Sequence, residues 1–178
     1  IGLCLVGSEM CIRDRGIGLG QEEALIKAIN SSTPPEAMQC AVNILNSIGA
    51  IGYLSEKNNP NKILNECQDK NIPILAIRAV QAGALTSSMD REPHSSGRDE
   101  DDFKDFEKAL PFRKFAENID ENPASLAHRY ALSVDKVSSV ILGVKNRAEL
   151  IECIAAEEKG QLDKEMLSKI DKLFENVK

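Results

Sequence analysis

Two short segments of this sequence combine small residues with a basic side chain, a pattern that suits phosphate binding. The first is Arg78–Gly83, with the sequence RAVQAG, and the second is Gly143–Asn146, with the sequence GVKN. Small side chains at Ala79, Ala82 and Gly83 would let backbone N–H groups approach phosphate oxygens closely. A glycine-containing turn is also compatible with an ordinary loop, so the first segment indicates a site only together with its surroundings.

The second segment ends a predicted strand and precedes a predicted helix. Backbone N–H groups at a helix N-terminus and the helix dipole both attract phosphate. Lys145 adds a positive charge there, although a lysine in this place can also be a solvated surface residue. Asn146 is a residue type that caps helices. Gly143–Asn146 therefore predicts a phosphate-binding site.

The histidines and cysteines do not indicate a catalytic or metal site. His94 falls in a polar segment and should be solvated, and His128 falls in a helix, where a structural or surface role is expected. Five cysteines are scattered without a CxxC pair, and their odd number argues against a disulfide framework. We expect Cys40, Cys67 and Cys153 to be small buried side chains. Free thiols favour a reducing, cytoplasmic compartment.

Composition excludes two classes of partner. The 178 residues fit one domain, and 42% of them are hydrophobic, so the chain can bury a core. No run approaches the roughly 20 apolar residues that a membrane-spanning helix needs, so we expect a soluble protein. The net charge of -6 provides no basic surface for a nucleic acid backbone.

The elements that position these residues alternate between strand and helix. Strands are predicted over 16–20, 37–45, 72–77 and 137–142, and helices over 21–29, from 61, 103–118, from 122, from 146 and over 163–175. Such alternation is typical of βαβ units around a parallel sheet. Asn61, Asn122 and Asn146 are predicted helix caps. Pro111 should start or kink a turn, and residues 86–102 have the composition of a long mobile loop.

Several of these segments together resemble the aldo-keto reductases. Residues 122–132, with the sequence NPASLAHRYAL, and 137–150, with the sequence VSSVILGVKNRAEL, closely resemble the last barrel helix, strand and cofactor loop of that family. Residues 74–85, 38–45 and 16–19 resemble its seventh, sixth and fifth strands. The resemblance covers 16–178 and implies an α/β fold, a partial (β/α)8 TIM barrel of about four C-terminal βα units plus a C-terminal helix. A complete barrel needs about 250 residues.

The resemblance also implies a function for the longer parent protein. It would be an NAD(P)-dependent oxidoreductase that reduces an aldehyde, ketone or sugar by hydride transfer. The family's catalytic Asp, Tyr, Lys and His lie on early strands that this chain lacks, so the chain alone should be inactive. The residues that it would give to the cofactor, NAD or NADP, are Gln39, Arg78, Ala79, Val80, Ala82, Gly83, Gly143, Val144, Lys145, Asn146 and Glu149.

Individual positions within that set differ in what they imply. Gln39 matches the family residue that binds the nicotinamide carboxamide, although a strand glutamine can also be satisfied internally. Glu149 and Cys153 stand where many relatives have an Arg or Gln and an Asn that contact the adenosine. A carboxylate at Glu149 would repel a 2′-phosphate and accept hydrogen bonds from a ribose 2′-hydroxyl. The sequence thus predicts a preference for NAD over NADP.

Two further expectations concern the ends of the unit. Residues 1–15 resemble one reading frame of a sequencing adapter, and we expect them to be foreign to a natural domain that begins at Gly16; a genuine first strand over 1–6 is the alternative.

A half-barrel would leave strand edges unpaired, which favours self-association. The alternative function is therefore a non-catalytic nucleotide- or phosphate-binding half-barrel that dimerises.

Overall fold

The computed structural model describes residues 16–17, 22–54 and 59–174. The predicted foreign segment 1–15, the predicted strand residues 18–20 and the predicted helix end at 175 lie outside the described residues. The strands are β1 (Gly16–Ile17), β2 (Ala37–Ala41), β3 (Ile74–Ile77) and β4 (Val137–Val140). The helices are α1 (Glu22–Ile29), α2 (Pro60–Asp69), α3 (Glu100–Lys108), α4 (Leu110–Asn118), α5 (Pro123–Ser133), α6 (Arg147–Glu158) and α7 (Lys164–Lys172).

The four strands form one parallel sheet in the order β1-β2-β3-β4. Each connection between neighbouring strands carries at least one helix, as a parallel pair requires. Ile74 pairs with Val137 and Leu75 with Ser139, so Ser138 is an extra residue that bulges β4. The parallel βα arrangement that the sequence predicts is confirmed.

One core lies between the sheet and its first helices. Met38 and Cys40 of β2 and Ile74 of β3 are buried there with Ile63 and Cys67 of α2. Burial raises the pKa of the Cys40 thiol to about 12 and that of Cys67 to about 11. Both cysteines are therefore the inert, buried side chains that were expected.

A second core joins the helices of the C-terminal part. Leu85, which follows β3, packs with Phe112 of α4, Leu126 of α5 and Ile170 of α7, and each is fully buried. The loop after β3 thus rests on these helices through Leu85 and Val80.

Helix boundaries follow their caps. Asn122 accepts hydrogen bonds from the N–H groups of Ala124 (2.8 Å) and Ser125 (3.2 Å), and the predicted cap of α5 is confirmed. The prediction for α2 is wrong by two residues. Asn59 is its cap and Pro60 its first residue, because the Asn59 side chain accepts from the Asn61 N–H at 3.1 Å.

The predicted loop over 86–102 is shorter than expected. Helix α3 already begins at Glu100, and the loop before it is tied to α3 by Arg91, which pairs with Asp99 at 3.2 Å and with Asp102 at 2.9 Å. The break between α3 and α4 falls at Ala109, two residues before Pro111, as the proline predicted. No helix in the described ranges has the length and apolar character to span a bilayer.

Candidate functional site

A cleft of about 500 Å³ opens beside the C-terminal ends of β3 and β4. Three segments line it: the loop after β3, the start of α5, and the loop after β4 with the first turns of α6. Among the predicted cofactor residues, Val80, Ala82, Gly83, Gly143, Val144, Lys145 and Glu149 face this cleft. The C-terminal ends of parallel strands are where barrel folds place their sites.

The turn after β3 is held in an unusual backbone conformation. Arg78, Gln81 and Ala82 have φ angles of 58°, 47° and 50°, in the left-handed region that is sparsely populated for residues other than glycine. Gly83 follows with a φ of 95°, which suits a residue without a Cβ atom. Gln81 is fully buried and holds the turn in place, since its side chain donates to Asp105 Oδ2 at 2.7 Å.

Arg78 lies in this turn but does not line the cleft. Its guanidinium forms an ion pair with the buried Asp102 and donates from Nε to Gln81 Oε1 at 2.9 Å. The N–H of Gly83, which the sequence offered to a phosphate, donates to the Val80 carbonyl at 3.0 Å. The chain's own contacts thus already use these two groups.

The remaining predicted residues also lie outside the cleft. Ala79 is buried in the first core. Gln39 is half-buried on β2, opposite Leu75 of β3, on the face of the strand that alternates with the core residues Met38 and Cys40. The structure therefore does not bring Gln39 together with the cleft residues.

A reciprocal cap closes the start of α6. Asn146 accepts a hydrogen bond from the Glu149 N–H at 3.0 Å, and the Glu149 carboxylate accepts from the Lys145 N–H at 2.8 Å. The predicted cap at Asn146 is confirmed. The cap also shows that the Lys145 amide, which was predicted to face a phosphate, is satisfied within the chain.

An ion pair links two of the segments that line the cleft. The Lys145 ammonium contacts the Asp90 carboxylate, and both side chains are more than half exposed. The hydrogen bond from Lys145 lowers the pKa of Asp90. The lining contains the cations Lys145 and Arg91 and the carboxylates Asp90, Glu149 and Glu152, so its charge is slightly negative.

Sequence reasoning missed several residues of the cleft, among them His128. His128 of α5 lines it and is only 8% exposed. Its Nε2 lies 3.4 Å from the Sγ of Cys153 on α6, and burial lowers the pKa of the imidazole. Cys153 is half-buried rather than part of a core, which corrects the expectation for it; burial first and Glu152 next raise its pKa. Nothing in the local sequence marks His128, because only the packing of α5 against α6 brings it next to Cys153.

Comparison with known proteins identifies the family. Residues 15–175 match the model of the Aldo/keto reductase family. The chain belongs to the aldo/keto reductase family. The family consists of oxidoreductases, and NAD(P)-dependent carbonyl reduction is its general activity. The resemblance stated from the sequence is thereby confirmed.

Solved aldo-keto reductases share the fold of this chain. The glycerol dehydrogenase AKR11B4 from Gluconobacter oxydans is 18% identical with a TM-score of 0.67, and the match covers 98% of this chain and 52% of that one. The apo form of aldo-keto reductase AKR11C1 from Bacillus halodurans is 17% identical with a TM-score of 0.65, covering 89% and 50%. This aldo/keto reductase chain spans about half the length of those structures, as a partial barrel does. No curated protein matches the chain.

Proposed function

We propose that this chain supplies the cofactor-holding half of an NAD(P)-dependent aldo/keto reductase whose longer parent reduces a small aldehyde, ketone or sugar. The observation that carries the proposal is the cleft itself. It gathers Val80, Ala82, Gly83, Gly143, Val144, Lys145 and Glu149, which the resemblance assigns to the cofactor, from two separate loops. Free cysteines at Cys40, Cys67 and Cys153 suit a parent that works in the cytoplasm.

The residues of the cleft fit one end of a dinucleotide. Its volume of about 500 Å³ lies in the range usual for small-molecule sites, and Lys145 provides a cation for a phosphate. A buried polar atom of His128 without a partner provides a further point of contact. When bound, the cofactor supplies the hydride that reduces the carbonyl carbon. The residues of this chain bind and orient it, and proton donation to the carbonyl oxygen belongs to residues of the parent outside this chain.

The charges of the cleft favour NAD over NADP. A 2′-phosphate adds about two negative charges, and it would enter a lining that already contains Glu149, Glu152 and Asp90. The two cations of the lining, Lys145 and Arg91, do not balance these three carboxylates. A free ribose hydroxyl can instead donate to Glu149, whose two oxygens have lone pairs beyond those that its present contacts use.

Isothermal titration calorimetry of the full chain with NAD and NADP tests both the proposed binding of the cofactor and the preference for NAD. We expect measurable binding of NAD and weaker binding of NADP. Glu149→Gln removes the charge while keeping a hydrogen-bonding side chain, so it should reduce the preference for NAD. Glu157→Gln, an exposed position on the same helix, is the matched control. Absence of binding by either cofactor contradicts the proposal, and tighter binding of NADP contradicts the preference.

One observation favours a second function, a non-catalytic nucleotide-binding half-barrel that dimerises. Large apolar side chains on the end of β4 and on α6 are 40–54% exposed: Ile141, Leu142, Leu150, Ile151 and Ile154. Size-exclusion chromatography during a cofactor titration separates the two functions. A discrete dimer that binds nucleotide supports the dimeric module. Insoluble chain supports the first proposal, in which the chain is one half of a longer enzyme.

A further inference from the structure

His128 contains an unsatisfied polar atom. Among the side chains that the structure describes, its Nδ1 is the buried nitrogen or oxygen without a hydrogen-bond partner. Leaving such an atom unpaired is unfavourable, so unpaired atoms of this kind are rare in native proteins and call for a partner. Since His128 lines the cleft, a molecule bound there is the candidate partner.

The neighbours of the ring determine what that partner must be. Burial lowers the pKa of His128, so the imidazole is neutral and has one N–H donor and one acceptor nitrogen. Its Nε2 faces the Cys153 sulfur at 3.4 Å, and burial first, then the carboxylates of Glu152 and Glu149, raise the pKa of that thiol. In the tautomer with its proton on Nε2, the ring donates to the thiol sulfur, which is a weak acceptor. The unpaired Nδ1 is then an acceptor, and its partner must be a donor.

The position of His128 relative to Lys145 matches the two ends of a nucleotide. Cys153, the neighbour of His128, lies roughly 9 Å along α6 from the start of that helix, at the usual rise per residue. Lys145 stands just before the same helix start. A nucleotide with its phosphates near Lys145 therefore has its base near His128 and Cys153.

We propose that His128 is the base-recognising residue of the cleft, with Nδ1 accepting a hydrogen bond from the exocyclic amino group of adenine. Cys153 is a positioning residue that fixes the ring through Nε2. The inference rests on the proposed function, since it requires a nucleotide in the cleft. The inference identifies a binding residue that the family resemblance did not indicate. It also gives a physical reason for the cleft to bind adenine more tightly than other purines.

Calorimetry with adenosine diphosphate and inosine diphosphate tests the inference, because inosine has a carbonyl where adenosine has the amino group. We expect the wild-type chain to bind the adenosine form about fivefold to tenfold more tightly, the effect of one hydrogen bond. His128→Leu should bring this ratio to about one. His128→Gln, which keeps an acceptor, should retain part of the preference. Cys153→Ala should lower the ratio and Cys153→Ser should restore it.

Lys145→Met is the matched control, since it should weaken both nucleotides equally and leave their ratio unchanged. Equal affinities in the wild-type chain, or a preference that survives in His128→Leu, overturn the role of His128 and leave the proposed function intact. Failure of both nucleotides to bind the wild-type chain overturns the proposed function and the inference together. If His128→Leu does not fold, the ratio of the affinities for adenosine diphosphate and inosine diphosphate in His128→Gln and in Cys153→Ala tests the inference instead.

Discussion

Lys145 has two competing partners, the Asp90 carboxylate in the free chain and a phosphate in the proposed complex. An exposed ion pair contributes about 1 kcal/mol or less, whereas a charge-assisted bond to phosphate is stronger. We expect Lys145→Met to weaken the binding of adenosine diphosphate about tenfold and Asp90→Asn to strengthen it up to a few-fold. Calorimetric titration at low salt measures both changes.

The exposed lysine Lys114 on α4 provides the control for lost positive charge, because it does not line the cleft. Lys114→Met should leave binding unchanged. If Lys145→Met and Lys114→Met bind nucleotide equally, Lys145 is a solvated surface residue, the alternative that the sequence left open.

His128 should make stability depend on pH in a defined direction. Burial lowers its pKa in the folded chain below the ordinary value of 6.5, so between those two values the unfolded chain binds more protons. The contribution of the neutral ring is complete above pH 6.5 and is lost as the pH falls through the folded pKa. Urea denaturation at pH 7.5 and 5.5 should show a larger loss of unfolding free energy for the wild-type chain than for His128→Leu, by at most about 1.4 kcal/mol per pH unit. An equal loss of unfolding free energy in both proteins would contradict this expectation.

At the scale of residues, sequence reasoning found what local motifs and family resemblance mark. Gly143 and Lys145 stand at the end of a strand and the start of a helix, and the structure places both in the cleft. Arg78 could not be placed in the same way, because its pairing with Asp102 joins segments 24 residues apart. His128 became visible only once α5 was packed against α6, since nothing local distinguishes it from a surface histidine.

Among the elements, α5 depends most clearly on its cap. Asn122 accepts two backbone hydrogen bonds at the start of a helix that packs into both cores. Asn122→Ala should lower the free energy of unfolding by about 1–2 kcal/mol, because two N–H groups lose their acceptor. Chemical denaturation followed by circular dichroism measures this. Asn118→Ala, at the exposed end of α4, should change stability by less than about 0.5 kcal/mol.

Helix α3 is fastened to the loop after β3 by a buried carboxylate. Asp102 is 3% exposed and pairs with Arg78 and Arg91. Asp102→Ala should cost about 3 kcal/mol, because it leaves the guanidinium of Arg78 largely buried without a counter-charge. The adjacent Asp101 is a matched control, since it is exposed and its pair with Lys104 contributes little. Comparable melting temperatures for the two variants would contradict the assigned role of Asp102.

The same carboxylate explains an error in predicting the elements. Residues 86–102 have a polar, charged composition, and so the start of α3 at Glu100 was assigned to the loop. Acidic residues are common in the first turn of a helix, but here Asp102 and Asp105 are also buried against Arg78 and Gln81. That burial comes from tertiary contacts, which no local pattern reveals. The helices with asparagine caps and prolines in the first turn were predictable, because those signals lie within a few residues of the helix start.

The whole molecule exposes an apolar face along α6. Ile151 and Ile154 are 54% and 50% exposed, far more than a residue of a core. We expect the wild-type chain to self-associate at micromolar concentration and the double variant Ile151→Lys, Ile154→Lys to shift toward monomer. Sedimentation velocity over a range of concentrations measures the change. Glu157→Lys controls for added positive charge, and an unchanged distribution in the double variant would contradict the role of this face.

At this scale the sequence predicted the class of fold but not its details. Alternation of strand and helix, with the family resemblance, gave four parallel strands and a partial barrel, and the fold is confirmed. The bulge at Ser138 and the early end of β2 at Ala41 were not predictable. Both depend on how neighbouring strands are aligned, which is determined between segments rather than within one.

The order of the strands in the sheet has a consequence for synthesis. Among the described strands, β2, β3 and β4 each pair with the strand that precedes it along the chain, so none of these three must insert between two strands that are already joined. A ribosome releases about 5–20 residues per second, so the 32 residues between Ala41 and Ile74 take a few seconds to emerge. Each unit thus has time to settle on the growing edge before the next appears. Of the described strands β4 is made last, and the loop with Lys145 and helix α6 follow it, so the cleft is completed only after α6 has been synthesised.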